Sequence, residues 1–182
     1  MERLQLWDSN LCPCCLKRVE CKTHLFQCED KEVKAKRAEK QLWVLKQLQE
    51  IKTHPKTISA IMYILHKILN EGNNQDNIDH KINQIIMAQQ NIGFMEMMIG
   101  RWTTLWKEYQ AQQFKKSFPN SNRNGLQWAT QAMKIIWQYN QQIWLVRNNI
   151  LHNKGGYDKI NDIAVIDEKI KIQFNLGTMD LQ

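Results

Sequence analysis

The stretch Thr53-His-Pro55-Lys-Thr-Ile58-Ser-Ala-Ile61-Met62-Tyr-Ile-Leu65-His-Lys-Ile-Leu69 decides the fold class. Proline suits the first turn of a helix and pushes the residue before it out of helical geometry, so a helix should begin near Pro55. Ile58, Ile61, Met62, Leu65 and Leu69 then recur at the helical period and form one apolar face. The same texture extends in both directions. Upstream, Leu42, Leu45, Leu48 and Ile51 recur at about that period, with Trp43 beside them. Downstream, Gly72-Asn-Asn-Gln-Asp76 reads as a loop, followed by a helix over Ile78 to Gln90 carrying Ile82, Ile85 and Ile86. A further helix is expected over about Phe94 to Phe118, with Met97, Met98, Trp102, Leu105, Trp106 and Tyr109. Pro119 to Gly125 is the clearest loop. A long helix should follow from about Gln127 to Leu151, with a stripe of Ala129, Met133, Ile136, Trp137, Trp144 and Leu151. Asp158 to Phe174 reads as a last helix, although Ile170-Lys-Ile-Gln-Phe174 alternates like a short strand.

Only seven Gly and three Pro occur in 182 residues, which argues against a sandwich or barrel. The expected fold is mostly α: a small N-terminal Cys/His zinc module, residues 1–30, docked on a bundle of about five or six helices spanning 31–175. Leucine, isoleucine and tryptophan at helical spacing belong first to a core. The alternative for Trp102, Trp106, Trp137 and Trp144 is a stacking surface for single-stranded bases.

All five cysteines lie in the first 28 residues, in Cys12-Pro-Cys-Cys15, Cys21 and His24-Leu-Phe-Gln-Cys28. Two cysteines on a tight turn can face one ion, and His24 and Cys28 are one helical turn apart. The set with the best spacing is Cys12, Cys15, His24 and Cys28. Rival sets exchange Cys28 for Cys21 or Cys12 for Cys14, and inert reduced thiols are the bland alternative. Zinc is the expected ion, and four filled positions make it structural. Clustered cysteines without a secretory signal fit a reducing compartment, intracellular in the nucleus or cytoplasm. No apolar run reaches the length of a membrane span, so no membrane contact is expected.

The formal charge is +7. Between Arg101 and Lys154 stand eight Lys/Arg and a single acid, Glu108. Such a balance attracts polyanions, RNA or DNA first, although an ordinary solvated helix surface reads the same way. The candidate nucleic-acid contacts are Arg101, Lys107, Lys115, Lys116, Arg123 and Arg147. There is no glycine-rich phosphate loop, nucleophile elbow or recognised carboxylate metal motif, so an enzyme is not expected.

Cys12-Pro-x-Cys15, Glu20, then His24-Leu-Phe-x-Cys28 resembles the zinc-binding segment downstream of the reverse transcriptase in non-LTR retrotransposon proteins. The resemblance implies Cys12, Cys15, His24 and Cys28 as metal ligands, with Leu25 and Phe26 packing the module onto its neighbour. More loosely, Gln90-Asn-Ile-Gly93-Phe94, Gly100-Arg101, Trp106 with Gln110, Trp128, Trp137 and Trp144-x-x-Arg147-Asn148-x-x-Leu151-His152 resemble the region that follows. The two parts cover about residues 4 to 152. Cys14 departs from the pattern, and neither the polymerase aspartates nor an endonuclease constellation is present. The resemblance implies a non-catalytic, zinc-binding, retrotransposon-derived protein that contacts nucleic acid. A helical module that binds a protein partner or self-associates is the alternative, and a degenerate fragment without retained function is a third.

Overall fold

The computed structural model describes residues 11–69 and 79–154. The described part is mostly helical, as expected. Among the described residues seven helices follow one another: α1 (Lys22–Gln27), α2 (Lys31–Glu50), α3 (Pro55–Ile68), α4 (His80–Ile92), α5 (Phe94–Met97), α6 (Leu105–Ser117) and α7 (Gly125–Lys154). Among the described residues the only β pairing is a single bridge between Leu11 and Val19. The Gly72–Asp76 loop and the Asp158–Phe174 segment lie outside the described residues. Two compact units divide the chain, Met1–Arg147 and Asn148–Gln182. The Cys/His segment and α1 to α6 belong to the first of these units.

Local chemistry explains where the helices start. Asp30 caps α2 by accepting the backbone N–H groups of Glu32 and Val33, at 3.1 and 3.2 Å. His54 caps α3 through its ring, which accepts the Lys56 N–H at 3.3 Å, and Pro55 occupies the first turn. Asp79 caps α4 and also pairs with Lys56, Nζ to Oδ2 2.7 Å. The end of α2 is equally specific. Lys52 takes a left-handed φ of 59° and donates to the Gln49 carbonyl, while Thr53 donates to Leu48. This is the paired C-terminal arrangement in which glycine is usual at the Lys52 position.

The core is built from Val44 and Leu48 of α2, the Ile58–Leu65 face of α3, Ile82, Ile85 and Ile86 of α4, and Trp106, Trp128, Ile136 and Tyr139 of α6 and α7. Two glutamines organise its polar seams. Gln110, on α6, accepts the His54 N–H and donates to the Lys52 carbonyl, fixing the α2–α3 turn. Trp128 holds the same turn by donating its indole N–H to Thr53 Oγ1 at 2.9 Å. Gln89 is wholly buried. Its amide donates to the carbonyls of Gly93 and Arg101, and its carbonyl accepts the Thr103 N–H and the Trp106 indole.

Three expectations need correction. The single helix over Phe94–Phe118 is two, α5 and α6, because Gly100 adopts a φ of 91° and the Gln89 bonds to Arg101 and Thr103 stabilise the non-helical link. On α2 the buried face is Val33, Arg37, Gln41, Val44 and Leu48, leaving Leu42 exposed. The charged, lysine-rich start of α2 hid this register, since Arg37 and Gln41 occupy core-facing positions. On α7 the core face is Trp128, Ala132, Ile136, Tyr139 and Ile143, whereas Trp137 and Trp144 are 66% and 51% exposed. Both stripes have helical spacing, and periodicity alone does not say which one faces inward.

α6 and α7 meet closely. A Cβ added at Gly125 would lie 2.0 Å from the Lys107 carbonyl oxygen, so only glycine fits there.

Candidate metal centre

The ligand-bearing segment folds as a tight knuckle followed by one short helix. Cys12 N–H bonds the Arg18 carbonyl at 2.7 Å, and Leu16 N–H bonds the Cys12 carbonyl at 2.8 Å. Leu16, with a left-handed φ of 55°, reverses the chain. The chain then enters α1, where Cys21 is the cap: its sulfur accepts the His24 N–H at 3.4 Å. His24 lies within α1 and Cys28 closes it.

This arrangement brings together the four residues with the best spacing. Cys12 Sγ and Cys28 Sγ are 3.8 Å apart, and Cys15 Sγ is 3.3 Å from His24 Nε2. One ligand atom from each of the four lies within 4.8 Å of every other, so the group could hold a metal ion. Cys12, His24 and Cys28 are buried and Cys15 is half-buried. None of the five cysteines is in a disulfide. Cys14 and Cys21 stand outside the group, which separates the expected set from its rivals. Cys14 is buried with its sulfur 3.9 Å from the Arg147 carbonyl, and Cys21 is exposed at the helix cap.

The electrostatics suit a cation. Burial, then the neighbouring Cys12, pushes the Cys28 thiol up to about 12, although the Asp30 N–H acts in the other direction. The buried Cys14 is likewise pushed up to about 12, first by burial. Burial opposes ionisation of Cys15 as well, yet backbone N–H groups of Lys17 and Arg18 bring its pKa below the ordinary value. Burial, then the Arg18 charge, lowers His24 and keeps the imidazole neutral. A neutral imidazole and thiolates are the forms that ligate metals, and a bound cation supplies the charge that buried thiolates need.

The centre is tied into the helices from three sides. Phe26 is buried in the core and Leu25 packs partly against it. Arg37 of α2 donates to the Cys28 carbonyl at 3.0 Å. On the third side, Arg147 of α7 forms a two-pronged pair with Glu20: Nε to Oε1 is 2.6 Å, and Nη2 bonds Oε2.

The other candidate residues are placed as follows. Arg101 pairs with Glu96 at 2.9 Å and Arg147 with Glu20, so each already has a carboxylate. Lys115 and Lys116 are exposed in the last turn of α6, and Lys107 is half-buried. The Arg123 guanidinium lies 4.8 Å above the Phe118 ring and 6.0 Å from Phe114. It borders a cleft of about 330 Å³ with Lys52, Asn124 and Gln127. A second cleft, of about 500 Å³, lies by His54, Ser59, Gln113 and Phe118 and shares Lys52 and Phe114 with the first. Lys52 was missed from sequence, because nothing in its neighbours marks a lysine that ends a helix beside a groove. Trp106 is buried and Trp102 donates its indole N–H to the Met97 carbonyl, so both serve the core.

No helix among the described residues is long and apolar enough to cross a membrane. Comparison with protein-family models, with curated proteins and with solved structures gives no match.

Proposed function

We propose that this chain is a non-catalytic zinc protein of the kind that follows the reverse transcriptase in non-LTR retrotransposon proteins, and that it contacts RNA or DNA. The observation that carries the reading is the convergence of Cys12, Cys15, His24 and Cys28 on one point. Tetrahedral zinc with Zn–S near 2.3 Å and Zn–N near 2.05 Å has edges of about 3.8 Å between sulfurs and about 3.6 Å between sulfur and nitrogen. The corresponding separations here are 3.8 and 3.3 Å. With four protein donors the ion has no open position for substrate, so its part is to fix the knuckle to α1.

The kinship gains support from a pairing across the chain. Glu20 belongs to the zinc-segment likeness and Arg147 to the helical one, and the two form an ion pair 127 residues apart in sequence. Trp106, Gln110 and Trp128 of the same likeness sit in the core and its hydrogen bonds.

Nucleic-acid contact rests on charge. Lys115, Lys116 and Arg123 are exposed; Lys52 lines both clefts and Arg123 the first. Phosphate binding through these groups releases counterions, so affinity should fall steeply with salt. Fluorescence anisotropy with labelled single- and double-stranded RNA and DNA oligonucleotides tests this. Binding that weakens with salt and is lost in Lys115→Ala/Lys116→Ala/Arg123→Ala supports the reading. No binding at low salt, or binding indifferent to the triple change, rules out these residues as the contact.

A specific observation favours a second reading, a protein-interaction module. It is the exposure of Trp137 and Trp144.

A further inference from the structure

Resting on the nucleic-acid contact proposed above, we infer that the groove between the α2–α3 turn and the α6–α7 loop takes an unpaired strand, with a base stacked at Phe118 and Arg123 and a phosphate held by Lys52. The groove consists of two clefts, of about 330 and 500 Å³, that adjoin at Lys52 and Phe114. Each falls within the range of about 300–1,000 Å³ usual for ligand sites.

The first observation is an aromatic platform. Phe118 closes α6, lines the larger cleft and is 42% exposed. The chain after it is folded back by hydrogen bonds. The Ser121 N–H donates to the Phe118 carbonyl at 3.0 Å, and the Arg123 N–H donates to Ser121 Oγ at 3.1 Å. In this loop the Arg123 guanidinium stands 4.8 Å from the centre of the Phe118 ring. Arg123 lines the smaller cleft, so the stacked pair bridges the two. Aromatic rings and guanidinium planes are the surfaces on which proteins stack unpaired bases. A duplex keeps its base faces covered by their neighbours and offers none to such a platform.

The second observation is the charge of the walls. No carboxylate lines the larger cleft among the described residues, and Lys52 is its one charged side chain. Lys116, nearby on α6, lies close enough for its charge to act on His54 in the same wall. The smaller cleft has a single carboxylate, Glu50, which accepts a hydrogen bond from Gln47 at 2.7 Å. The rest of the larger cleft is neutral and polar, with the amides of Gln49 and Gln113 and the hydroxyl of Ser117. Such groups can meet base edges and sugar hydroxyls without repelling a phosphate. An acidic peptide would use the cations but leave the ring and the amides without a matching partner.

Fluorescence anisotropy at low salt tests this on the full, zinc-loaded, nuclease-treated chain, with labelled single strands of RNA and of DNA and the duplexes of the same sequence. Single strands should bind at least about tenfold more tightly than duplexes. Phe118→Ala should weaken single-strand binding by about 5- to 100-fold, the range set by one stacked base, and Phe118→Tyr should restore it. Should Phe118→Ala unsettle the loop, Gln113→Glu keeps the ring and places a carboxylate in the larger cleft. It must weaken single-strand binding by about tenfold on its own. Lys81→Ala, an exposed lysine on α4, should bind like wild type. Binding that is lost in Lys115→Ala/Lys116→Ala/Arg123→Ala yet indifferent to Phe118→Ala and Gln113→Glu overturns the groove and leaves the nucleic-acid reading standing. So does duplex binding as tight as single-strand binding, an equal loss in Lys81→Ala, or displacement of the strand by poly-glutamate as readily as by unlabelled strand. No binding of any strand at low salt overturns both.

Discussion

Breaking the Glu20–Arg147 pair should loosen the metal centre as well as the fold. The Arg147 side chain is 19% exposed and that of Glu20 35%. At a charge separation near 4 Å and an effective dielectric of about 20, the attraction is about 4 kcal/mol. The exposure of Glu20 screens part of this, and ordering two long side chains removes about 1–2 kcal/mol more. The remaining coupling should be about 1–2 kcal/mol. A double-mutant cycle with Glu20→Ala, Arg147→Ala and both, followed by urea denaturation of the metal-loaded protein, isolates it. Because Glu20 and Cys14 both touch Arg147, the pair also holds the knuckle in its ligating shape. Glu20→Ala should therefore weaken metal binding in a chelator competition by about tenfold, equivalent to 1.4 kcal/mol. A coupling below about 0.3 kcal/mol, the size of ordinary non-additivity, together with unchanged metal affinity, would refute the claim that α7 steadies the centre.

Four further outcomes follow from the geometry. Gln89→Leu strips partners from two carbonyls, one N–H and the Trp106 indole, and should lower stability by about 3–5 kcal/mol in denaturant titration; a loss under 1 kcal/mol would contradict the hub. Gly125→Ala drives a methyl into the Lys107 carbonyl and should cost more than about 2 kcal/mol, read as a lowered melting temperature, with no change meaning that α6 and α7 are not so close. Lys52→Gly removes the left-handed strain of a side-chain-bearing residue and should raise stability by about 0.5–1 kcal/mol; a decrease would show that the lysine side chain, not its backbone, matters. For His54, burial and then the charges of Lys56 and Lys116 hold the imidazole below its ordinary pKa of 6.5. The folded state therefore binds this proton less well than the unfolded state. The cap's contribution is complete above pH 6.5 and is lost as pH falls through the lower, folded value. A histidine NMR titration should place its midpoint below 6.5, and a midpoint above that value contradicts the assigned cap.

Much of the architecture was readable because helix signals are local. Pro55 announced α3, and Ile58 and Ile61 of α3 and Ile82, Ile85 and Ile86 of α4 fell on the buried faces. The Cys12, Cys15, His24 and Cys28 group was readable for the same reason: two short segments carry all four side chains that come together. What the sequence hid depends on contacts between distant segments. Gln89 and Gln110 look like any other amides in a Gln-rich chain, and their burial follows from carbonyls that a break at Gly100 and the turn at Lys52 leave exposed for them. α7 carries two apolar stripes, and choosing the inner one requires knowing where α6 lies. The tryptophan stripe drew the sequence reading because tryptophan is usually core, yet Trp128, Tyr139 and two small alanines fit the closer packing. Glu20 and Arg147 were each noticed, but their meeting is a tertiary fact.

We propose that Cys12, Cys15, His24 and Cys28 together hold one zinc ion. The most direct test is the metal content of protein purified without chelator, by mass spectrometry of the elements, for wild type and Cys28→Ala side by side with Cys21→Ala. One zinc per wild-type chain, retained in Cys21→Ala and lost in Cys28→Ala, is the predicted result. A metal-free wild type with intact helicity, or zinc kept by Cys28→Ala and lost by Cys21→Ala, would contradict it.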